Sequence, residues 1–437
     1  MKKSDTVAFK PNRKTPPPIR QVSNIILPTP IFHQLDNGIP IHETRLGTQE
    51  IMKLDIVWRT GRPDEHKRLA TRATTRLLRE GTPSFNSAQI ADILDFYAGT
   101  FQSPTGMDFS SVTVYCMTKH FQPIIPLVAE IILQPTFPQK ELDVFKDTNI
   151  QRLNVELTKN DTIAYREITE RIFGAKHPYG ENSFPQTYLD ITRDDLVKQH
   201  AQKMTSDNCT IFLSGKTDDN ILKLINQYLG QTKTTKILDP YPLRFETPNQ
   251  TPQKIRIPNP ANADAKQSSI RIGRRLFNRH HPDYPGFYIL NTIFGGYFSS
   301  RLMTNIREEK GYSYNIYSAT DTMSLDGYFY IASEVGNEVV QPTLKEIYAE
   351  MEILRTQPVP QQELEMVRNY LLGNLLTILD GPFNIADFLK SLTMDNIPFE
   401  ALDQLIHTIK TITPEELLAL AQKYFNPADF WEIIAGA

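Results

Sequence analysis

The strongest constraint on the fold is that the sequence repeats itself once. Pro138–Leu142 returns as Pro360–Leu364, and Ala201–Lys203 returns as Ala421–Lys423. The offset of about 220 residues is far longer than the unit of a solenoid, so it indicates a duplicated domain. Three further pairs follow the same offset, namely Gln122-Pro123 with Gln341-Pro342, Ile191-Thr192 with Ile412-Thr413, and Gly215 with Gly436.

Each half shows the same order of strand-like and helix-like segments. Apolar stretches that are typical of strands come first, and two long helical patterns and a short final strand follow. Strands grouped before helices predict the α+β class, with helices packed on one face of a mainly antiparallel sheet. The strand-like segments are Glu50–Trp58 and Ser110–Met117 in the first half and Ser268–Leu276 and Gly327–Glu334 in the second.

Proline content predicts where the two halves begin and end. Residues 1–30 are rich in proline and basic residues and are expected to form an extended N-terminal arm. Residues 236–260 contain six prolines and are predicted to be a linker. The first domain then spans residues 31–235 and the second spans residues 261–437.

Composition disfavours several classes of function. The chain has 47 basic and 50 acidic residues, so it lacks the basic excess of a nucleic-acid-binding protein. Two cysteines are too few for a disulfide framework or a cysteine-rich zinc site. No apolar run is long enough for a transmembrane helix, so no membrane span is expected. No apolar stretch follows the basic start, which favours the cytoplasm, or the periplasm if a signal peptide has been removed.

A signature in the second half carries the most specific information. Phe294–Leu302 contains a glycine-rich turn followed by S-S-R-L, and Arg307–Tyr314 reads R-E-x-x-G-x-x-Y. This stretch resembles the second-half signature of the M16 (pitrilysin/insulinase-type, processing-peptidase-like) zinc metallopeptidases. Asp36-Asn37-Gly38 and His177–Gly180 are weaker matches to the same family. The resemblance implies two homologous halves of the LuxS/MPP-like metallohydrolase type.

The zinc motif of that family, H-x-x-E-H followed by a distal glutamate, is absent from this sequence. By the resemblance, the two histidine positions fall on Arg72 and Arg76, the motif glutamate on Thr75, and the distal glutamate at or beside Arg152. A guanidinium cannot lose its proton to become a ligand, and three of them repel a dication. We therefore expect no metal at this site.

The arginines of this segment have other interpretations. Arg68 and Arg79 are expected on a solvated helix face, because helical spacing places them there. For Arg72 and Arg76, whose aligned positions would face the cleft, a structural ion pair or an anion site is as open as the solvated face. A basic pair turned toward a cleft requires acidic partners, which the sequence does not name.

The resemblance also implies roles for Arg307 and Tyr314, which match an arginine and a tyrosine that reach the substrate in this family. A phenol donor stabilises the negative charge that develops on a scissile carbonyl oxygen, and a guanidinium holds a carbonyl or carboxylate. The alternatives are that Arg307 pairs with Glu308 or Glu309 and that Tyr314 is an ordinary strand aromatic.

These observations predict a non-catalytic subunit of an M16-type zinc peptidase, inactive alone. A zinc-motif-bearing M16 subunit is the expected partner and holds the zinc, while Arg307 and Tyr314 contact the peptide substrate. Added-strand binding of peptide is expected near Gly99–Ser103. The alternatives are a structural scaffold, like the core subunits of respiratory complexes, and an active homodimer with an unrelated mechanism.

Overall fold

The computed structural model describes residue 14, residues 25–231, residues 245, 248 and 250–262, and residues 264–436. Most of the predicted N-terminal arm and most of the residues between 236 and 249 in the predicted linker lie outside the described residues. The predicted domain boundaries at these two places therefore stay predictions.

The first sheet has six strands in the order β1-β2-β6-β3-β5-β4. Every neighbouring pair is antiparallel except β2 and β6, which run parallel. The strands are β1 (Ile31–Gln34), β2 (Pro40–Arg45), β3 (Ile51–Trp58), β4 (Thr100–Gln102), β5 (Ser110–Met117) and β6 (Cys209–Gly215).

The second sheet repeats this topology, and among the described residues it has no counterpart of β1. Its order is β7-β11-β8-β10-β9, and β7 and β11 form the parallel pair. The strands are β7 (Lys254–Pro258), β8 (Gln267–Leu276), β9 (Ser313–Thr322), β10 (Gly327–Gly336) and β11 (Trp431–Gly436). The matching order and directions confirm the predicted α+β fold with two homologous halves.

Eight helices belong to the described part of the first half. Helices of this half cover one side of the first sheet with their apolar faces, and Ile124, Val128 and Ile131 of the third helix are fully buried there. The helices are α1 (Ala70–Leu77), α2 (Ser87–Phe96), α3 (Phe121–Leu133), α4 (Gln139–Glu156), α5 (Asn160–Phe173), α6 (Pro185–Asp190), α7 (Arg193–Lys203) and α8 (Asp219–Leu229).

The second half has helices α9 to α14 and two π-helical segments that include part of its signature. These segments are Thr292–Gly296 and Met303–Glu309. The helices are α9 (Tyr284–Asn291), α10 (Val340–Thr356), α11 (Gln361–Ile378), α12 (Gly381–Met394), α13 (Ala401–Thr411) and α14 (Pro414–Tyr424). No helix in the described part of the chain has the length and apolar character needed to cross a membrane.

One repeated landmark of the sequence is a helix cap. The Thr192 hydroxyl accepts the Asp195 backbone N–H at the start of α7, and the Thr413 hydroxyl accepts the Glu416 N–H at the start of α14. In both places the acidic side chain accepts the N–H of the threonine in return. This reciprocal capping satisfies amides that a helix leaves unpaired at its first turn.

The two halves exchange one helix each. Helix α5 of the first half packs on β8 and β11, where Ile168 and Ile172 join a core with Trp431 and Ile433. Helix α12 of the second half packs on β2 and β6, and its Met394 contacts the core around Phe212. Because strand side chains alternate between faces, each sheet has its own helices on one face and a helix from the other half on the opposite face.

Candidate functional site

A cavity of about 860 Å³ lies beside α1 and α4. Arg72 and Arg76 of α1 line it, and Arg152 of α4 lines it as well. Residues four apart on a helix share one face, which is why the two α1 side chains point the same way. The structure therefore brings to one cavity three of the four residues that the resemblance predicts at the lost-motif positions.

Thr75, the fourth position, is fully buried and does not line this cavity. Its hydroxyl donates a hydrogen bond of 2.8 Å to the carbonyl of Thr71, one turn earlier in α1. A hydroxyl that back-bonds within its own helix is satisfied and is not presented to a ligand.

The environment of Arg72 is polar but uncharged at contact distance. Its guanidinium donates to Asn149 Oδ1 over 3.3 Å, and Asn149 in turn donates to the carbonyl of Phe145. In residues 25–231, 250–262 and 264–436, no aspartate or glutamate forms an ion pair with Arg72, Arg76 or Arg152. The interpretation of Arg72 and Arg76 as structural ion-pair residues thus finds no partner in the described structure.

Arg68 behaves differently, because its side chain is only 10% exposed and pairs with Glu65 over 3.4 Å. The prediction of a solvated face was wrong for this residue. Glu65 also accepts the backbone N–H groups of Leu69 and Thr71, and so caps the start of α1. Burial raises the pKa of the Glu65 carboxyl to about 7 despite these donors.

The residues at the lost-motif positions do not fit zinc. Zinc requires three or four thiolate, imidazole or carboxylate donors, and these four positions offer three guanidinium groups and a buried hydroxyl. In the described residues, no group of three or more His, Cys, Asp or Glu side chains is placed to hold a metal ion. The donor chemistry of these positions does not fit a metal, and the expectation that the chain holds none stays a prediction.

Arg307 and Tyr314 form a second cluster, outside the lining of the arginine-walled cavity. The guanidinium carbon of Arg307 lies 4.7 Å from the ring centre of Phe298 and 5.3 Å from that of Tyr314. Phe298 is 61% exposed and Tyr314 is 88% exposed. Each ring face attracts the cation, so the two rings hold the guanidinium between them.

The alternative interpretation of Arg307 is not seen, because it forms no ion pair with Glu308 or Glu309, both of which are described. Phe298 was missed in the sequence, although it lies inside the signature between the glycine turn and S-S-R-L. An aromatic residue among glycines and serines was the available signal.

Two contacts position the signature on the second half. Arg301 donates to both carboxylate oxygens of Glu363 in α11, at 2.9 and 2.7 Å. Gly295 lies so close to β9 that an added Cβ would be 2.6 Å from the backbone nitrogen of Ser318. The glycine-rich turn is therefore required by close packing against the strand that carries Tyr314.

The predicted strand-addition segment is also in place. β4 is the last strand of the first sheet, and Ser103 and Thr105, which follow it, line the arginine-walled cavity. An edge strand of this kind presents unpaired backbone N–H and C=O groups. The roles of Arg307, Tyr314 and this edge in binding stay predictions.

Comparisons with known proteins agree with this architecture. Residues 190–371 match a family model described as "Peptidase M16 inactive domain". This match confirms the resemblance to M16 peptidases that the second-half signature indicates.

Among curated proteins, the chain is 21% identical over 356 residues to the "Uncharacterized zinc protease YmxG" of Bacillus subtilis, covering 79% of this chain and 83% of that protein. It is 23% identical over 309 residues to the "Non-peptidase homolog YmxG" of Helicobacter pylori, covering 68% of each. A crystal structure of a peptidase M16 inactive domain from Pseudomonas fluorescens matches with a TM-score of 0.82 and 21% identity. That match covers 93% of this chain and 98% of the other chain.

Proposed function

We propose that this chain is the non-catalytic subunit of a two-subunit M16-type zinc peptidase. The partner is an M16 subunit that has the zinc motif and supplies the metal, the attacking water and the general base. This chain offers Arg307 and Tyr314 to a peptide bound at the partner's zinc. The substrate is thus a peptide shared between the two subunits.

The observation that carries this proposal is the exposure of Tyr314. Its side chain is 88% exposed and packs on Arg307, so it contributes little to the core of its own half. An exposed phenol beside a guanidinium supplies two donors for an oxygen that gains negative charge, which is the need of peptide hydrolysis. The guanidinium, oriented by Phe298 and Tyr314, suits a peptide carbonyl or carboxylate.

Two further facts support a subunit without its own metal. The lost-motif positions carry Arg72, Thr75, Arg76 and Arg152, whose chemistry does not fit zinc. The matched domain family is described as inactive, and one relative is named a non-peptidase homologue. An inactive first half combined with an intact second-half signature is what a split site requires.

The direct experiment combines peptide hydrolysis with zinc analysis. The purified chain is assayed alone and together with a zinc-motif M16 protein from the same source. We expect neither zinc nor activity in the chain alone, and activity on mixing. Hydrolysis by the chain alone in the presence of a chelator would instead indicate a homodimeric enzyme with another mechanism.

Variants of the pair then test the assigned roles. Tyr314→Phe removes one donor, and kcat of the mixed enzyme is expected to fall about 100-fold, whereas Tyr370→Phe, at another partly exposed tyrosine of the second half, is the matched control. Arg307→Lys keeps the charge but loses the planar donor pair, so activity is also expected to fall. A complex that forms and is indifferent to both variants would favour a structural scaffold.

A further inference from the structure

The cavity beside α1 and α4 has an excess of positive charge that the protein itself does not neutralise at contact distance. Arg72, Arg76 and Arg152 line it from two different helices, and all three side chains are exposed. In the described structure the Arg72 guanidinium donates to the uncharged amide of Asn149, and none of the three arginines forms an ion pair with a carboxylate. Lys159 lowers the pKa of Glu156, and Arg152 adds a weaker effect in the same direction. Three guanidinium groups on the walls of one cavity repel one another and favour an anionic ligand between them.

The acidic residues of the same lining have other partners. Glu65 accepts from Arg68 and from two backbone N–H groups. Glu80 accepts from the Ser87 hydroxyl at 2.8 Å, and Glu156 accepts from Lys159 Nζ at 2.7 Å. The fourth, Glu141, lies in the first turn of α4 and forms no ion pair with the three arginines in the described structure.

The size and walls of the cavity indicate which kind of anion it accommodates. About 860 Å³ is far more than one carboxylate or phosphate group occupies. Leu77 and Phe145 add apolar surface, and Ser103 and Thr105 continue from the edge strand β4. A chain segment that pairs with this edge would run past the arginines, since an edge strand binds peptides through its unpaired backbone groups.

We propose that Arg72, Arg76 and Arg152 bind the carboxylate side chains of an acidic peptide. Each guanidinium donates two parallel hydrogen bonds to the two oxygens of a carboxylate, a geometry that an ammonium group does not provide. The inference rests on the proposed function in that the ligand is a peptide, and it names the class of peptide. The positions that bind a cation in zinc peptidases carry, in this chain, arginines that select anions.

The test is a binding titration by fluorescence anisotropy with the purified full-length chain. The probes are dye-labelled peptides of one sequence, with glutamate at several positions or with glutamine at the same positions, both amidated at the C-terminus. At low salt the glutamate peptide is expected to bind at least about tenfold more tightly, and this preference is expected to shrink as ionic strength rises. A third probe, the glutamine peptide with a free C-terminal carboxylate, tests the chain terminus as the source of the anion.

The preference is expected to disappear in the R72Q/R76Q/R152Q variant, whose exposed positions carry no core contact. Arg256→Gln, at an exposed arginine of β7 in the other half, is the matched control and should keep it. Three results would each overturn the inference: equal binding of the glutamate and glutamine peptides, a preference that survives in the triple variant, or no binding of the glutamate peptide. If only the peptide with a free C-terminal carboxylate binds more tightly, the bound anion is the chain terminus and not a side-chain carboxylate, which overturns the inference.

This titration is independent of the test of the proposed function. It uses the isolated chain and measures binding, whereas the split-site proposal is tested by hydrolysis with the partner. Loss of the glutamate preference with intact dependence of hydrolysis on Tyr314 would reject the anion site alone. An arginine-dependent preference without any hydrolysis on mixing would reject the split site alone.

Discussion

The ammonium of Lys53 lies 2.6 Å from the carboxylate of Asp387, and this ion pair joins a strand of the first half to a helix of the second. The other sheet has an ion pair of the same kind at a different position, since Arg271 of β8 pairs with Asp161 of α5. In each case a basic residue on a sheet is bound by an acidic residue on the helix that the other half contributes. On each sheet, an ion pair thus stabilises the packing of the helix that comes from the other half.

Replacing Lys53 is expected to destabilise the protein strongly. Its side chain is 3% exposed and lies 3.0 Å from Asp55, which is itself buried, so Lys53→Met leaves a buried carboxylate with only Lys390 to balance it. We expect a loss of about 3 kcal/mol in the free energy of unfolding, measured by urea titration. Asp387→Asn is the comparison, because this partner is 45% exposed and screened, and its loss is expected to cost about 1 kcal/mol or less. Equal effects of the two variants would contradict this account.

The two glycines Gly295 and Gly373 are expected to respond in opposite directions to alanine. A Cβ at Gly295 would meet the Ser318 backbone nitrogen at 2.6 Å, and backbone atoms in a sheet do not move aside easily. Gly295→Ala is therefore expected to destabilise by about 2 kcal/mol or more. Gly373 lies inside α11 with no atom within 4 Å of an added Cβ, so Gly373→Ala is expected to stabilise by about 0.5–1 kcal/mol. Thermal unfolding of both variants measures the signs, and a common sign would refute the packing argument.

Glu65 is expected to make stability depend on pH. Burial raises its pKa to about 7, above its value in the unfolded chain, so the native protein binds more protons between these two values. The contribution of Glu65 to the free energy of unfolding is therefore greatest at low pH. It falls by about 3 kcal/mol as the pH rises from about 4.5 to about 7.

The measurement is urea unfolding at several pH values for the native chain and for Glu65→Gln. The variant lacks the titrating group, so its stability relative to the native chain is expected to improve as the pH rises. Glu365→Gln, at an exposed position of α11, is the control for the substitution itself. Parallel pH profiles for the native chain and Glu65→Gln would disprove the assignment.

Restoring the zinc motif by R72H/T75E/R76H is expected to fail. The two histidines would share one face of α1, but the glutamate would replace Thr75, which is fully buried and bonded to Thr71. Burying that carboxylate is expected to cost about 3 kcal/mol, and Arg152 still presents a cation where a third ligand belongs. We expect well below stoichiometric zinc by elemental analysis and a lowered Tm, whereas R72H/R76H alone should keep its stability. Stoichiometric zinc with an unchanged Tm in the triple variant would show that the site was not lost.

Local features of the fold were readable in the chain. The apolar stripe of Ile124, Val128 and Ile131 predicts α3, and the repeated Thr192 and Thr413 mark the caps of α7 and α14. These features depend on residues that are close together in the chain, so a short stretch of sequence is enough to predict them. The burial of Arg68 could not be predicted from the sequence. Besides Glu65, its guanidinium contacts the carboxylate and the carbonyl of Glu181, which lies more than a hundred residues away in the chain.

The sequence alone determined that two homologous α+β halves exist, that no H-x-x-E-H motif is present and that the second half carries the glycine-rich and R-E-x-x-G-x-x-Y signature. These properties reside in residue identity and periodicity. Only the tertiary structure decided that α5 and α12 cross to the other half, that three arginines meet at one cavity, and that Phe298 joins Arg307 and Tyr314. An apolar face shows that a helix must be buried but not against which sheet, since that choice depends on contacts between residues far apart in the chain.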